Sequence, residues 1–222
     1  ELSARYFDCV LADFSPDIVH FFHLNRLGTG LIDRCVKKGV PCFMTPTDFW
    51  SICPTGQLLL SDNSLCAGPS KSAGNCLKHF AESVENNVIA RVGRVLPVVC
   101  ADSLVWLTSR GLLPSYPKHK EVSALANRLP TNVSRLNKLS GIIAPNNFMK
   151  GALVKYGVNA DLIDVISFGI DLSEPKLRNS RSRSNSALRI GFIGTLAPHK
   201  GCDVLIRAFL AFGDAQAVLK VY

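Results

Sequence analysis

A lysine follows a glycine-containing loop that joins an apolar segment to an amphipathic one. Residues 188–193 are apolar and rich in β-branched side chains, and Gly194 and Thr195 follow them. After Lys200 and Gly201, apolar side chains recur at helical spacing. This pattern predicts a strand, a loop and a helix whose free N–H groups and dipole favour an anion. Lys200 adds a positive charge there, so the segment is a candidate phosphate site, although it matches neither a Walker A loop nor the dinucleotide fingerprint.

Further polar side chains follow predicted strands earlier in the chain. Loops at the carboxyl ends of parallel strands carry the ligands of α/β sheets, so we treat these residues as candidate site residues. The set comprises His20, His23, Thr47, Asp48 and Asn146, and Gly169 occupies the same kind of position.

The titratable candidates each have a structural alternative. His20 is flanked by apolar residues, which favours a packed role. His23 suits packing at a strand end and facing a cleft equally well. Asp48 suits capping a helix at Phe49 and Trp50 as well as binding an acceptor or acting in catalysis.

Cysteines form a second constellation in an irregular segment rich in proline, glycine and serine. Cys76 and His79 have the spacing of a zinc knuckle, and Cys53 and Cys66 precede them. A Cys₃His shell would hold a structural zinc without a catalytic role. Because the cysteine spacings differ from those of a standard finger, unligated thiols are the favoured alternative.

Composition places the chain among globular proteins. Of 222 residues, 47% are hydrophobic and 19% charged, which excludes intrinsic disorder. No apolar run approaches the roughly 20 residues of a membrane-spanning helix. Eight cysteines lie mostly in apolar runs with no secretory signal before them, so we expect free thiols and a cytoplasmic location, unless a missing N-terminus hides a leader. We therefore discount the glycosylation pattern at Asn132, which also lies in a predicted helix.

The positive charge is unevenly distributed. Of the net +8, five basic residues lie within 176–189 without an acidic one, which leaves 8 − 5 = +3 elsewhere. This small excess suits peripheral contact with an anionic membrane. An Arg-Ser tract could bind RNA or be phosphorylated, but its lack of apolar periodicity favours a linker at 174–187 and no specific nucleic-acid partner.

Strand-like and helix-like segments alternate, which predicts an α/β fold with a parallel, doubly wound sheet. The predicted strands are 17–22, 40–45, 96–101, 141–144, 162–166, 188–193 and 217–222. The predicted helices are 5–14, 28–38, 103–110, one starting at Pro130, and 146–156, with residues 48–78 irregular. We expect a domain at 1–173 and the start of another at 188–222. A parallel sheet is not completed by the last segment, so the chain is expected to be an internal fragment.

Five blocks along the chain resemble, in order, the group 1 (family 4) retaining glycosyltransferases, whose GT-B fold has two Rossmann-like domains. The blocks are 17–23 with Gly28, 39–54, 142–148 with Gly157, 166–171 and 191–201. The resemblance implies transfer of a sugar, with retention, from a nucleotide-diphosphate sugar to a glycan or lipid-linked acceptor. It implies no required metal, and a role in cell-surface polysaccharide or glycolipid assembly.

The resemblance also implies roles for individual residues. It implies that Gly194, Thr195, Lys200 and Gly201 bind the donor diphosphate. It also implies that the acceptor-side loops contain Gly28, Thr47, Asn146 and Gly169. Asp48 and His23 are the implied catalytic residues.

Three departures from the family pattern affect these roles. Thr195 stands where the family has an arginine, and Thr47 replaces the histidine of a His-Asp pair. No glutamate follows Glu174, so the family's Glu-x₇-Glu motif is absent. We expect the chain to be inactive alone. Two functions are alternatives to sugar transfer. One is that of a GT-B relative such as a nucleotide-sugar epimerase, and the other is that of a non-catalytic module that binds protein or nucleic acid through the cysteine segment and Arg-Ser tract.

Overall fold

The computed structural model describes residues 2–60, 62–82, 87–169, 188–213 and 216–222, with only the backbone of 87–90. The chain forms two compact units, Glu1–Phe168 and Gly169–Tyr222. The predicted linker at 174–187 lies outside the described residues, and the predicted domain limits stay a prediction.

A parallel four-stranded sheet forms the centre of the first unit. Its strands are β1 (Val19–Phe21), β2 (Cys42–Met44), β3 (Gly141–Ala144) and β4 (Ile163–Val165), in the order β1-β2-β3-β4. Val19 lies opposite Cys42, and Ile142 lies opposite Ile163. Because all neighbouring strands are parallel, their carboxyl ends share one edge of the sheet. The predicted α/β class with a parallel sheet is confirmed.

Seven helices are described in the first unit. They are α1 (Leu2–Phe14), α2 (Gly30–Lys38), α3 (Gly74–Glu82), α4 (Asn87–Val95), α5 (Val98–Ser109), α6 (His119–Leu136) and α7 (Asn147–Lys155). Helix α2 connects β1 to β2, and α7 connects β3 to β4, as crossovers between parallel strands require. Gly39 ends α2 with a φ of 71° and donates its N–H to the carbonyls of Cys35 and Val36.

The core of the first unit lies between the sheet and its helices. Ile32 on α2, Ile142 on β3 and Leu153 on α7 are each no more than 1% exposed and belong to one apolar cluster. Burying such a side chain contributes about 1.5–3 kcal/mol, so these positions fix how the helices pack on the strands.

The strand predicted at 96–101 is wrong, because these residues enter helix α5. Pro97 precedes the first turn with extended backbone angles, a position that suits a residue without an N–H. Ala101, Val105 and Thr108 then face inward at helical spacing. A short apolar run has no periodicity that separates a strand from a buried helix.

The helix start predicted at Pro130 is also wrong. Helix α6 begins at His119, after Lys118 in the left-handed region, and Pro130 lies exposed within it. Proline normally interrupts a helix interior. Here Val122, Asn132 and Leu136 are buried on either side of the proline, so packing of this face holds the helix together.

The irregular segment predicted for 48–78 ends earlier than expected. Helix α3 starts at Gly74, where a Cβ atom would collide with the backbone of Asp102 on α5. The Asp102 carboxylate accepts hydrogen bonds from the N–H groups of Ser72 and Gly74, at 3.0 and 2.8 Å. This close approach explains why α3 begins at a glycine.

The second unit contains one strand–helix–strand motif in its described part. Strands β5 (Arg189–Phe192) and β6 (Val218–Val221) are parallel, and α8 (Cys202–Phe212) connects them. The strands and the helix predicted here are confirmed. Across the described residues of both units, no helix has the length and apolar character needed to cross a membrane.

Candidate functional site

His23 and Asp48 meet at the carboxyl edge of the parallel sheet. His23 follows β1, Asp48 follows β2, and their Nε2 and Oδ2 atoms are 2.8 Å apart. Neighbouring parallel strands place these loops side by side, which explains how residues so distant in sequence come together. The side chains are 41% and 29% exposed, so a ligand in solution can reach the pair.

The hydrogen bonds around the imidazole define which atom carries its proton. The backbone N–H of Asn25 donates to Nδ1 of His23 at 3.1 Å, so Nδ1 acts as an acceptor. Nε2 then carries the proton and donates it to the Asp48 carboxylate. His23 therefore orients Asp48, and the carboxylate is the group of the pair that can accept a hydroxyl proton.

Asp48 is also held by its own loop. Its Oδ1 accepts the N–H of Trp50 at 2.8 Å, and the N–H of Phe49 donates to the carbonyl of Gly56 at 3.0 Å. A Cβ atom on Gly56 would lie 3.2 Å from Asp48 Oδ2. Asp48 therefore shapes a tight turn, and one carboxylate oxygen still faces His23.

Two further predicted residues lie beside this pair. Thr47 Oγ1 donates to the carbonyl of Phe22 at 3.5 Å and so links the two loops. His20 Nε2 contacts Thr45 Oγ1 at 2.9 Å, and its ring stacks on Phe22. His20 is nevertheless exposed, and so is Phe22, so the packed role expected for His20 stays a prediction.

The remaining acceptor-side candidates have backbone or capping roles. Gly28 has a φ of 85°, which allows the turn between His23 and α2. Asn146 caps α7, and its Oδ1 accepts the N–H of Met149 at 2.8 Å. Gly169 is exposed and begins the second compact unit.

The candidate phosphate site lies between β5 and α8 in the second unit. Gly194, Thr195 and Lys200 are exposed, and Lys200 ends a single 3₁₀ turn just before α8. Gly201 is the N-cap residue of α8, with a φ of 72° and no side-chain cap hydrogen bond. Asp203 in the first turn forms an ion pair with Arg207 at 2.7 Å, which reduces its repulsion of an anion. The roles of these residues stay predictions.

The cysteines of the zinc hypothesis line one small cavity. Cys53, Cys66, Cys76 and His79 all border it, but its volume is about 10 Å³. In the described part of the chain, no three His, Cys, Asp or Glu side chains form a group that could hold a metal ion. The arrangement thus gives no support to a structural zinc.

These thiols differ in acidity. Burial raises the pKa of Cys76 to about 12, and the nearby sulfurs of Cys53 and Cys66 add to the effect. Burial also acts on Cys53, but hydrogen bonds from Thr55 and from loop backbone outweigh it and lower the pKa of that thiol. Within one cavity, Cys76 stays a neutral thiol while Cys53 is the more acidic group.

Sequence reasoning did not select two residues of α6 that support the site. Arg128 stacks on Trp50, with its guanidinium carbon 4.7 Å from the ring centroid, and donates to the carbonyl of Ile52 at 3.3 Å. Asn132, discounted as a glycosylation site, is 5% exposed and hydrogen-bonded on both sides of its amide. The only signal in the sequence was the placement of polar residues on one face of a helix.

Comparison with known proteins finds a similarity among solved structures. No protein-family model matches the chain, and no curated protein matches it significantly. Among solved structures, it is similar to Anabaena Alr3699/HepE, crystallised in complex with UDP and glucose. The match has 18% sequence identity and a TM-score of 0.36, and it covers 92% of this chain and 60% of that one. The chain thus spans less than two thirds of the length of that protein.

Proposed function

We propose that this chain belongs to a GT-B glycosyltransferase that moves a sugar, with retention, from a nucleotide-diphosphate donor to a glycan or lipid-linked acceptor. The observation that carries the proposal is the His23–Asp48 pair at the carboxyl edge of a parallel sheet. This edge is where α/β sheets bind their ligands. The order of the five sequence blocks, described above, supports the same assignment.

Asp48 is proposed to receive the acceptor hydroxyl. Its carboxylate already accepts two N–H groups, from Trp50 and His23, and keeps free lone pairs because a carboxylate has about four. A sugar hydroxyl that donates to one of them becomes a better nucleophile as its O–H bond weakens. General-base assistance of this kind typically contributes a factor of about 10²–10⁴ in rate.

Lys200 and the start of α8 are proposed to bind the donor diphosphate. When the bond from the sugar to the diphosphate breaks, negative charge grows on the leaving phosphate. A lysine and a helix N-terminus stabilise such charge. Thr195 offers a hydroxyl where the family has an arginine, so we expect weaker diphosphate binding than that family pattern gives.

Calorimetric titration with UDP, GDP and ADP tests the donor side of the proposal. We expect one nucleotide to bind, and Lys200→Ala to weaken it about tenfold or more, while Lys220→Ala on β6 serves as the control. The absence of binding by all three nucleotides, together with no effect of Lys200→Ala, would overturn the donor role. Product analysis separates the alternatives, because an epimerase converts the sugar nucleotide itself and leaves the acceptor unmodified.

A further inference from the structure

Three polar side chains lie on one face of α6 and point at the two loops of the candidate site. Arg128, Asn132 and Arg135 are spaced by four and three residues, so they share one side of the helix. None of them touches His23 or Asp48 in a described hydrogen bond. Their partners are instead the neighbouring parts of the two loops.

Toward the Asp48 loop, α6 binds three consecutive backbone carbonyls. Arg128 donates one Nη to the carbonyl of Trp50 and the other to that of Ile52. Asn132 Nδ2 donates to the carbonyl of Ser51, which lies between them, at 2.9 Å. Helix α6 therefore binds the loop that begins at Asp48 at three consecutive residues rather than at one.

Arg128 is partly buried, so its positive charge needs compensating contacts. Burial lowers the pKa of its guanidinium, and the described structure gives it no carboxylate partner. Desolvating a charge is costly unless other contacts compensate. Here two carbonyl groups accept hydrogen bonds from the guanidinium, and the face of Trp50 adds a cation–π contact. Arg128 therefore binds the backbone and an aromatic ring of the Asp48 loop.

The oxygen of the Asn132 amide binds the other loop, the one that follows His23. Thr29 Oγ1 donates to Asn132 Oδ1 at 2.8 Å, and Arg135 Nη1 donates to Thr29 Oγ1 at 3.1 Å. Thr29 is the N-cap residue of α2, yet its side chain forms no cap hydrogen bond. Thr29 is only 2% exposed, and its hydroxyl instead connects α2 to Asn132 and Arg135 on α6.

We propose that Asn132 is a positioning residue, which bridges the two loops through one buried amide and so holds His23 and Asp48 at hydrogen-bonding distance. Thr29 is close to His23 in the first loop, and Ser51 is close to Asp48 in the second. A buried amide that satisfies a donor in one loop and an acceptor in the other couples their positions. The proposal rests on the proposed function only in treating the His23–Asp48 pair as the site.

The hydrogen bond of the pair itself is the readout, because it needs no substrate. The ring nitrogens of His23 are observed by ¹H–¹⁵N NMR, assigned with His23→Ala, and Asp48→Asn supplies the spectrum of an altered pair. We expect Asn132→Ala to shift the His23 signals toward those of Asp48→Asn. Asn127→Ala, which removes an exposed amide from the same helix, leaves them unchanged.

Gentler variants keep the proposal testable if Asn132→Ala fails to fold. Asn132→Asp keeps the acceptor for Thr29 and loses the donor to Ser51, while Thr29→Val removes the other arm at similar volume. Each is expected to shift the His23 signals, and unchanged signals in a folded Asn132→Ala or in both gentler variants would overturn the proposal.

Sugar transfer, assayed with the protein from the complete reading frame, separates this proposal from the function. Loss of loop placement is expected to lower kcat about tenfold to a hundredfold, with little change in the KM for the donor. If Asn132→Ala shifts the His23 signals but the wild-type protein transfers no sugar, the bridge stands and the proposed function falls.

Discussion

The Nε2 atom of His23 donates to Oδ2 of Asp48 at 2.8 Å, although the two residues are 25 positions apart in the chain. Because the N–H of Asn25 occupies the other ring nitrogen, the imidazole presents only its donor to Asp48. His23 orients Asp48, and Asp48 is the residue proposed to receive the acceptor hydroxyl. This division of roles leads to the first prediction.

Asp48→Asn is expected to lower sugar transfer about a hundredfold or more, since an amide cannot take the acceptor proton. His23→Ala is expected to have a smaller effect, about tenfold, because it removes only the orientation of the carboxylate. Steady-state rates with the protein from the complete reading frame measure both. Asp62→Asn, which alters an aspartate that accepts hydrogen bonds from Ser64 in its own turn, is the control. A larger loss in His23→Ala than in Asp48→Asn contradicts the assignment of roles.

Gly56→Ala is expected to destabilise the chain by about 1 kcal/mol or more. Gly56 has a φ of 79°, and a Cβ atom there would lie 3.2 Å from Asp48 Oδ2, so backbone strain adds to crowding. Urea unfolding measures the change. Gly151→Ala is the matched control, because this exposed helical glycine has open space around it and its replacement is expected to stabilise by about 0.5–1 kcal/mol. Equal effects of the two substitutions would show that the Gly56 turn is not constrained.

Ser51→Ala is expected to leave stability unchanged or to raise it by about 1 kcal/mol. In the described structure, the buried Oγ of Ser51 has no hydrogen-bond partner, while the carbonyl of the same residue is bound by Asn132. An unsatisfied buried hydroxyl costs about 1–3 kcal/mol, and alanine removes it without touching the carbonyl. Chemical denaturation decides the point, and a clear loss of stability would mean that the hydroxyl has an important partner.

Alkylation by iodoacetamide at pH 8 is expected to follow exposure and acidity. Cys9 and Cys100 are exposed and react first. Cys35 and Cys76 are buried, and their pKa values of about 12 leave roughly 10⁻⁴ of each as thiolate. Peptide mass spectrometry over time gives the order. Labelling of Cys76 as fast as Cys100 in the folded chain would contradict the structure around the cavity.

Asp33 is expected to make stability sensitive to acid. Burial alone would raise its pKa, but hydrogen bonds from Lys138 and Arg135 outweigh burial and hold the pKa below the usual 3.8. A lowered folded-state pKa contributes stability above about pH 4, and that contribution is lost as the pH falls through the folded value. Asp33→Asn should therefore be less stable than the wild type at pH 7, and the difference should shrink as the pH falls below about 4, as measured by urea unfolding. A constant difference across this range would contradict the prediction, and Asp13→Asn on α1 is the control.

Much of the sheet follows from local pattern, but the helical layer does not. Apolar segments near glycine or proline predict β1 to β4, and β2 and β3, which lie between the other two, contain no exposed residue. Residues 98–101 have the same apolar character and form a helix, because packing of α5 against other helices overrides strand propensity. Pro130 indicates a helix start by local rules, whereas burial on both sides of it extends α6.

The location of the candidate site was predictable from the sequence, but its hydrogen bonds were not. The rule that loops at one sheet edge meet brings His23 and Asp48 together, yet no spacing predicts that Asn25 fixes the imidazole tautomer. The contacts of Asn132 are less predictable still, because its two hydrogen-bond partners lie 103 and 81 residues away in the chain. Long-range hydrogen bonds of this kind leave no periodic signal in a single sequence.

The most direct test of the proposed function is sugar transfer by the protein from the complete reading frame. The donors are UDP-glucose, UDP-galactose, UDP-N-acetylglucosamine and GDP-mannose, the acceptors are octyl glycosides, and NMR of the product gives the anomeric configuration. We predict a glycoside that keeps the donor's configuration, a rate at least about a hundredfold lower in Asp48→Asn, and an unchanged rate in Asp62→Asn. Absence of transfer, or a product with inverted configuration, would contradict the proposed function, and transfer by Asp48→Asn at the wild-type rate would contradict the role of Asp48.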